Sequence, residues 1–248
     1  MLDKKSPSEI KILQTGGHKL AVVLHKVAAS AKPGVTGLEL DALAEKLILA
    51  AGGQPAFKGY NSFPNALCVS VNDTIVHGIP NGTPFKEGDI VGLDLGMRYK
   101  GLYTDMAVTV GVGRISAEAE KLLYATKKAL DIAIDQVKPG NYINDIGRAI
   151  EDFVKPYGYS IVRDLSGHGV GRDVHEEPTI PNFSTDRQIA QMFTGMVIAI
   201  EPMIIAGGSH RVVTSDNRWD VKSHDNSLTA HFEHTVAVTD KGALIITK

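Results

Sequence analysis

The segment GLDLGMRYKGLYTDM, residues 92 to 106, constrains this chain more than any other stretch. Apolar residues alternate with polar or small ones on both sides of an Arg-Tyr-Lys-Gly turn signal, which predicts two antiparallel strands. Asp94 and Asp105 are eleven residues apart. An even loop centred between Tyr99 and Lys100 would set them directly opposite each other, on one face of the pair. Two carboxylates side by side repel unless a cation lies between them. In strands otherwise rich in Leu, Val and Met, such a pair asks for a metal.

Size and charge narrow the remaining choices. With 248 residues the chain has room for one large domain or two small ones. Its 43% hydrophobic and 22% charged content is that of a soluble globular protein, not of a disordered or fibrous one. A net charge of −2 gives no electrostatic case for nucleic acid or an anionic membrane as partner. The single cysteine, Cys68, excludes an internal disulfide and fits a reducing cytosol. The opening MLDKKSPSEIKIL lacks the apolar core of a signal peptide, and no run reaches the ~18 apolar residues of a membrane span. A cytoplasmic location is expected.

Ser6-Pro7-Ser8-Glu9 combines an N-cap, a proline at the first helical position and an acid at N3. A helix should run from there to about Ala31, with an apolar face through Ile10, Leu13, Leu20, Val23, Leu24 and Val27. Lys32-Pro33-Gly34 ends it, and a second helix spans about Gly37 to Ala51. Strands fit 66–71, 90–95 and 104–110. The pattern then recurs: a helix from Ser116 to Val137 ended by Lys138-Pro139-Gly140, another from Ile143 to Tyr157, and strands near Ile161 and over 197–201. The two Lys-Pro-Gly turns are 106 residues apart, and Gly88-Asp-Ile-Val and Gly195-Met-Val-Ile are 107 apart. Six residues after each of these glycines stands an acid, Asp94 or Glu201. His77-Gly-Ile-Pro80 and His175-Glu-Glu-Pro178 form a third matched pair, at an offset of 98. Two copies do not make a solenoid. They predict one domain over 1–248, with pseudo-symmetric halves at roughly 10–112 and 116–240, each delivering an acid on an equivalent strand.

Three more segments place acids or histidines in apolar, glycine-punctuated settings: SGHGVGRDVHEEP at 166–178, VIAIEPM at 197–203 and AHFEHTVAV at 230–238. Charged groups in such strands are rarely buried unless paired or metal-bound. Taken singly, Asp94 reads as a turn cap, His168 as a core histidine, and Glu201 and Glu233 as partners of Arg172 or Arg211. Gly111-Val-Gly-Arg-Ile115 resembles a fragment of a phosphate loop but reads as a turn into the helix at Ser116.

In order and spacing, LDLGMRYKGLYTD, SGHGVGRDVHEEP, IEPM and FEHT resemble the type I methionine aminopeptidases in their short bacterial form. The resemblance covers nearly the whole chain. It implies the pita-bread fold, an α+β architecture with two pseudo-symmetric αβ halves around a central curved antiparallel sheet. Asp94, Asp105, His168, Glu201 and Glu233 match that family's metal ligands, for two divalent ions of the Mn, Fe, Co or Zn class, a choice that oxygen ligands with one imidazole also suit. The implied reaction is removal of initiator methionine from N-terminal Met-X peptides of nascent chains when X is small, through a metal-bridged hydroxide. Glu201 would double as proton acceptor, while His77 and His175 would contact the peptide and its oxyanion. One ion would receive the free α-amino group, which makes the enzyme an exopeptidase.

Tyr60, Phe63, Cys68 and Trp219 match positions lining the methionine pocket, where aromatic faces and soft sulfur suit a thioether. Val174 departs from an aromatic in better-known bacterial relatives, and Phe57 stands where some carry cysteine. The resemblance further implies a monomer and raises a transient ribosome contact. Two rivals remain open to test. One is an X-Pro aminopeptidase or prolidase of the same fold, and the other is a metal-free ribosome- or RNA-binding protein.

Overall fold

A computed structural model describes residues 2–186 and 188–248. Four helices lie outside a set of antiparallel sheets, and the local chemistry of each helix start is visible. α1 (Pro7–Ala29) begins with the expected capping box: the Glu9 N–H reaches the Ser6 hydroxyl at 3.3 Å, and the Ser6 N–H donates to Glu9 Oε2 at 2.8 Å. α2 (Gly37–Ala50) repeats the device with Thr36 and Glu39, a start signal that the sequence reading passed over. α3 (Ala117–Ile134) is capped by Ser116, and α4 (Ile143–Val154) gives way to a 3₁₀ turn at Lys155–Tyr157 before Gly158. Each such cap satisfies amides that the helix leaves open and stabilises it by about 1 kcal/mol. No helix among the described residues is long and apolar enough to cross a membrane.

The long hairpin Ile90–Tyr99 and Leu102–Gly111 forms as expected, but its register differs from the expectation. Asp94 faces Ala107 and Asp105 faces Gly96, so the two acids are diagonal neighbours and not directly opposite. The turn centre lies between Lys100 and Gly101, whose φ angles of 48° and 87° make a two-residue turn with both centres left-handed. Such turns match strand twist and favour glycine at the second centre. Centring on Tyr99 and Lys100 would have put an aromatic residue in a left-handed position and left Gly101 in the strand. Because the centre moves by one whole residue, opposite partners move by two, and both acids keep the same face.

That face is the inner one. Leu93, Leu95 and Met97 point the other way and pack with Met106, against Leu20, Leu24 and Val27 of α1 and Leu40, Ala44 and Ile48 of α2. Each such side chain contributes about 1.5–3 kcal/mol on burial, which fixes the strand's parity. Leu67–Val71 and the short Gln54–Pro55 strand flank Ile90–Tyr99. In the second half, α3 and α4 cover Ile180, Ile198, Ile200 and Val236 in the same manner. The sheet there runs Gly242–Ile245, His234–Thr239, Val197–Ile200, Gly167–Gly169, Glu176–Ile180. Matched turns share nearly the same positive φ: 90° at Gly34 and 93° at Gly140, and 96° at both Gly88 and Gly195.

The halves meet along an antiparallel seam. His231 N–H donates to Thr109 Oγ1 (2.9 Å), Glu233 N–H to the Ala107 carbonyl (2.9 Å), and the Asp105 N–H to Thr235 Oγ1 (2.9 Å). Thr109 and Thr235 return the contact by donating to the carbonyls of His231 (2.7 Å) and Asp105 (2.8 Å). Asp105 from the first half and Glu233 from the second are thereby brought to one place.

Candidate active site

A cavity of about 310 Å³ opens between the halves. Its lining includes all five expected metal ligands, both expected histidines and all four expected pocket residues. Asp94 and Asp105 come from the hairpin, His168 from the middle of Gly167–Gly169, Glu201 from the end of Val197–Ile200, and Glu233 from the seam. Ligand atoms of Asp105, His168 and Glu233 all lie within 4.8 Å of one another. Glu201 Oε1 is 3.6 Å from His168 Nε2.

The donor set fits divalent cations. Asp94 Oδ1 and Glu233 Oε1 are buried without a hydrogen-bond partner, and buried polar atoms are ordinarily satisfied. At about 4 Å two carboxylates repel by roughly 4 kcal/mol at an effective dielectric of 20. Several such pairs would consume a total stability of about 5–15 kcal/mol. Without a cation the acids therefore hold protons instead. Burial lifts Asp105 to about 7, with the Glu201 charge adding to it, and burial lifts Glu201 to about 8. Burial, then the neighbouring acids, pushes Asp94 and Glu233 well above the usual carboxylate range. Arg172, a conceivable partner for the two glutamates, is engaged with Asp3 and Glu9.

His168 is prepared as a neutral ligand. Its Nδ1–H donates to the Gly169 carbonyl at 2.9 Å, which leaves the Nε2 lone pair for the cavity. Burial, reinforced by His175, lowers its pKa to about 3, so it stays uncharged at neutral pH. Ligand identity, donor orientation and raised carboxyl pKa values all point to the same occupant class.

The other end of the cavity is aromatic. His175, exposed at the rim, stacks on Tyr60 with centroids 5.3 Å apart, and its Nδ1 lies 3.0 Å from the Tyr60 hydroxyl. Trp219 meets Phe63 edge-on at 5.0 Å and His77 edge-on at 6.5 Å. Cys68 is buried beneath, and its thiol pKa is raised by burial and then by Asp94. Phe57 and Val174 pack into this same cluster. His77 has φ 59° and is held by the Gly78 N–H on Ser70 Oγ (3.2 Å) and the Ile79 N–H on Asp220 Oδ1 (2.9 Å). Trp219 reaches the site because Val212–Thr214 pairs with Val221–Ser223, which pairs in turn with Thr74–Val76. That three-stranded ribbon had no clear sequence signal.

The sequence reading also missed His231. Its side chain is 3% exposed, its Nε2 has no hydrogen-bond partner and lies 3.4 Å from Glu201 Oε2, and burial lowers its pKa to about 3. A period-two count back from Glu233 would have found it, because strand residues two apart share a face.

A pita-bread fold whose central cleft gathers four acids and a histidine defines a metallopeptidase, with a divalent-cation requirement. The chain belongs to metallopeptidase family M24, whose model matches residues 11–240. It is 42% identical over 247 residues to a methionine aminopeptidase of Clostridium perfringens, covering 100% of this chain and 99% of that protein. The crystal structure of methionine aminopeptidase from Thermotoga maritima superposes with a TM-score of 0.97 at 41% identity, covering 100% of both chains. The Xaa-Pro dipeptidase of Bacillus anthracis matches with a TM-score of 0.79 at 23% identity, covering 99% of this chain and 62% of that one, which shows a common fold alone.

Proposed function

We propose that this chain removes the N-terminal methionine from nascent proteins whose second residue is small. The observation that supports it most is the convergence of Asp94, Asp105, His168, Glu201 and Glu233 on one cavity floor beside a pocket of aromatic rings and a thiol. Those five side chains would hold two divalent cations of the Mn, Fe, Co or Zn class. When bound, the cations supply Lewis acidity and a water made acidic enough to attack at neutral pH.

The chain's own groups carry the rest. Tyr60, Phe63, Cys68 and Trp219 receive the unbranched thioether, a soft side chain suited to aromatic edges. The free α-amino group, which an internal residue lacks, would bind where the floor holds a cation, and this restricts cleavage to the first bond. Glu201 would accept the proton of the attacking water and hand it to the departing amine. With the Tyr60 hydroxyl donating to His175 Nδ1, the His175 Nε2–H is left to donate to the developing oxyanion. Partial desolvation at the rim holds His175 below its ordinary pKa, so this donor is a neutral imidazole. His77, clamped by its backbone neighbours, hydrogen-bonds the peptide near the scissile nitrogen. The seam makes one catalytic unit of both halves, since neither holds a full ligand set.

A panel of Met-X-Ser peptides with Mn or Co supplied tests the reading. Turnover should be high for X = Gly, Ala or Ser and should fall for X = Leu or Arg, with no cleavage of Gly-Pro peptides. Preferential cleavage of X-Pro bonds would replace the reading with a prolidase. A protein that purifies without metal and stays inactive with Mn or Co would favour a binding role.

A further inference from the structure

The segment ahead of α1 is strapped to the loop that carries His175. Lys5 is 2% exposed, and its N–H donates to the Gly195 carbonyl at 2.9 Å. Its Nζ lies 2.7 Å from Asp3 Oδ2 and donates to Glu176 Oε2. The other Glu176 oxygen, Oε1, accepts the backbone N–H of Arg172 and that of Asp173, the latter at 2.9 Å. The Arg172 guanidinium spans Asp3 Oδ1 (2.6 Å) and Glu9 Oε1 (2.9 and 3.0 Å), and Glu9 is the capping-box acid of α1. Gly171 lies under the lysine: at its φ of 144° an added Cβ would stand 2.4 Å from Lys5 Cε. Only a residue without a side chain leaves that passage open.

A buried ammonium is costly unless its partners are fixed, and two carboxylates fix this one. Glu176 adjoins His175 in the chain. The carboxylate of Glu176 gathers the amides at 172 and 173, so the backbone from 172 to 176 curls around it. The lysine then anchors that carboxylate to the body of the protein. His175 itself is exposed, and its ring is held by the Tyr60 hydroxyl and by stacking. The direction in which the ring leaves the backbone is therefore set from behind.

We propose that Lys5 and Glu176 are positioning residues that aim His175 at the reacting carbonyl, so that the chain's N-terminal segment takes part in catalysis without touching substrate. This rests on the role given to His175 under Proposed function. A group displaced by about 1 Å from its productive place can cost about a hundredfold in rate.

The test is a double-mutant cycle on Met-Ala-Ser hydrolysis with Mn supplied. Lys5→Met should lower kcat about ten- to a hundredfold with KM changed less than about twofold, and Lys5→Arg should restore most of it. In the His175→Ala background, Lys5→Met should cause no further loss. Histidine ring NMR of the metal-stripped protein should show the His175 signal shifted or broadened by Lys5→Met, with the His77 signal in place. Glu176→Gln keeps the shape of the side chain and carries the same cycle if Lys5→Met fails to fold by circular dichroism. Wild-type kcat in Lys5→Met, or an equal loss in both backgrounds, overturns the proposal alone. Wild-type kcat in His175→Ala overturns the catalytic role of His175 and this proposal with it.

Discussion

The two ends of the cavity are built by different means. At the acid end, Asp94 and Asp105 sit within hydrogen-bonded strands, His168 lies in one, and Glu233 is pinned by the seam. None of these residues has a left-handed backbone. At the aromatic end, the rings of Tyr60, Phe63, His77 and Trp219 hang from irregular segments in which Asn61, Ser62, His77 and Arg218 all have positive φ, while Cys68 lies in the Leu67–Val71 strand. Ladders hold charge at fixed separations, as a cation requires, whereas loops allow a pocket to be reshaped without moving the ladder. Under the proposed function, the contrast makes reactivity and selectivity separable here.

The largest break in that contrast should come at the acid end. Asp105→Ala or Glu201→Ala should leave a folded protein by circular dichroism and lower kcat/KM on Met-Ala-Ser by more than about a hundredfold, since loss of groups merely supporting a metal ligand already costs about ten- to a hundredfold. Wild-type-like turnover by either variant, with metal supplied, would refute the assignment of the centre. A smaller effect should follow at the aromatic end. Trp219→Ala removes the edge contacts to Phe63 and His77 and should raise KM about tenfold with a modest change in kcat. A collapse of kcat with KM unchanged would mean that the two ends are not separable.

The smallest effect concerns stability. Asp105 at about 7 and Glu201 at about 8 bind protons more tightly when folded than unfolded. Such groups favour the fold at low pH and lose that contribution as pH rises through their folded values. His168, His77 and His231 work in the opposite sense below their ordinary value of 6.5, because unfolding lets them take up protons. Metal-stripped protein should therefore melt highest near pH 6.5 and lose about 2 °C or more by pH 8. Added Mn should remove the decline, because cations replace those protons. A melting temperature that is flat from pH 6.5 to 8 without metal would contradict the clustering of acids at the floor.

Much of the acid end was legible in the sequence, and less of the aromatic end was. Acids interrupting apolar strands stand out because burial makes them expensive, and the capping boxes of the helices follow local rules. Register was harder, since it depended on which two residues took the left-handed turn, and Gly101 decided that against the simpler count. The aromatic residues were assigned by resemblance, while the ribbon that brings Trp219 to His77 depends on pairing between segments about 145 residues apart, which no local pattern encodes. His231 stands two residues before Glu233 but just outside the Phe-Glu-His-Thr motif that marks this strand. The Lys5 strap is a contact between the two ends of a long sequence separation, and it had no sequence signal.

The seam at Thr109 and Thr235 bears on how the molecule comes into being. Asp105 and Glu233 stand 128 residues apart in the sequence, so a copy still being synthesised has its hairpin acids early and gains the acid beside them only once most of the second half has been made. The cavity floor is completed in one step, when the 231–235 segment closes against the first half.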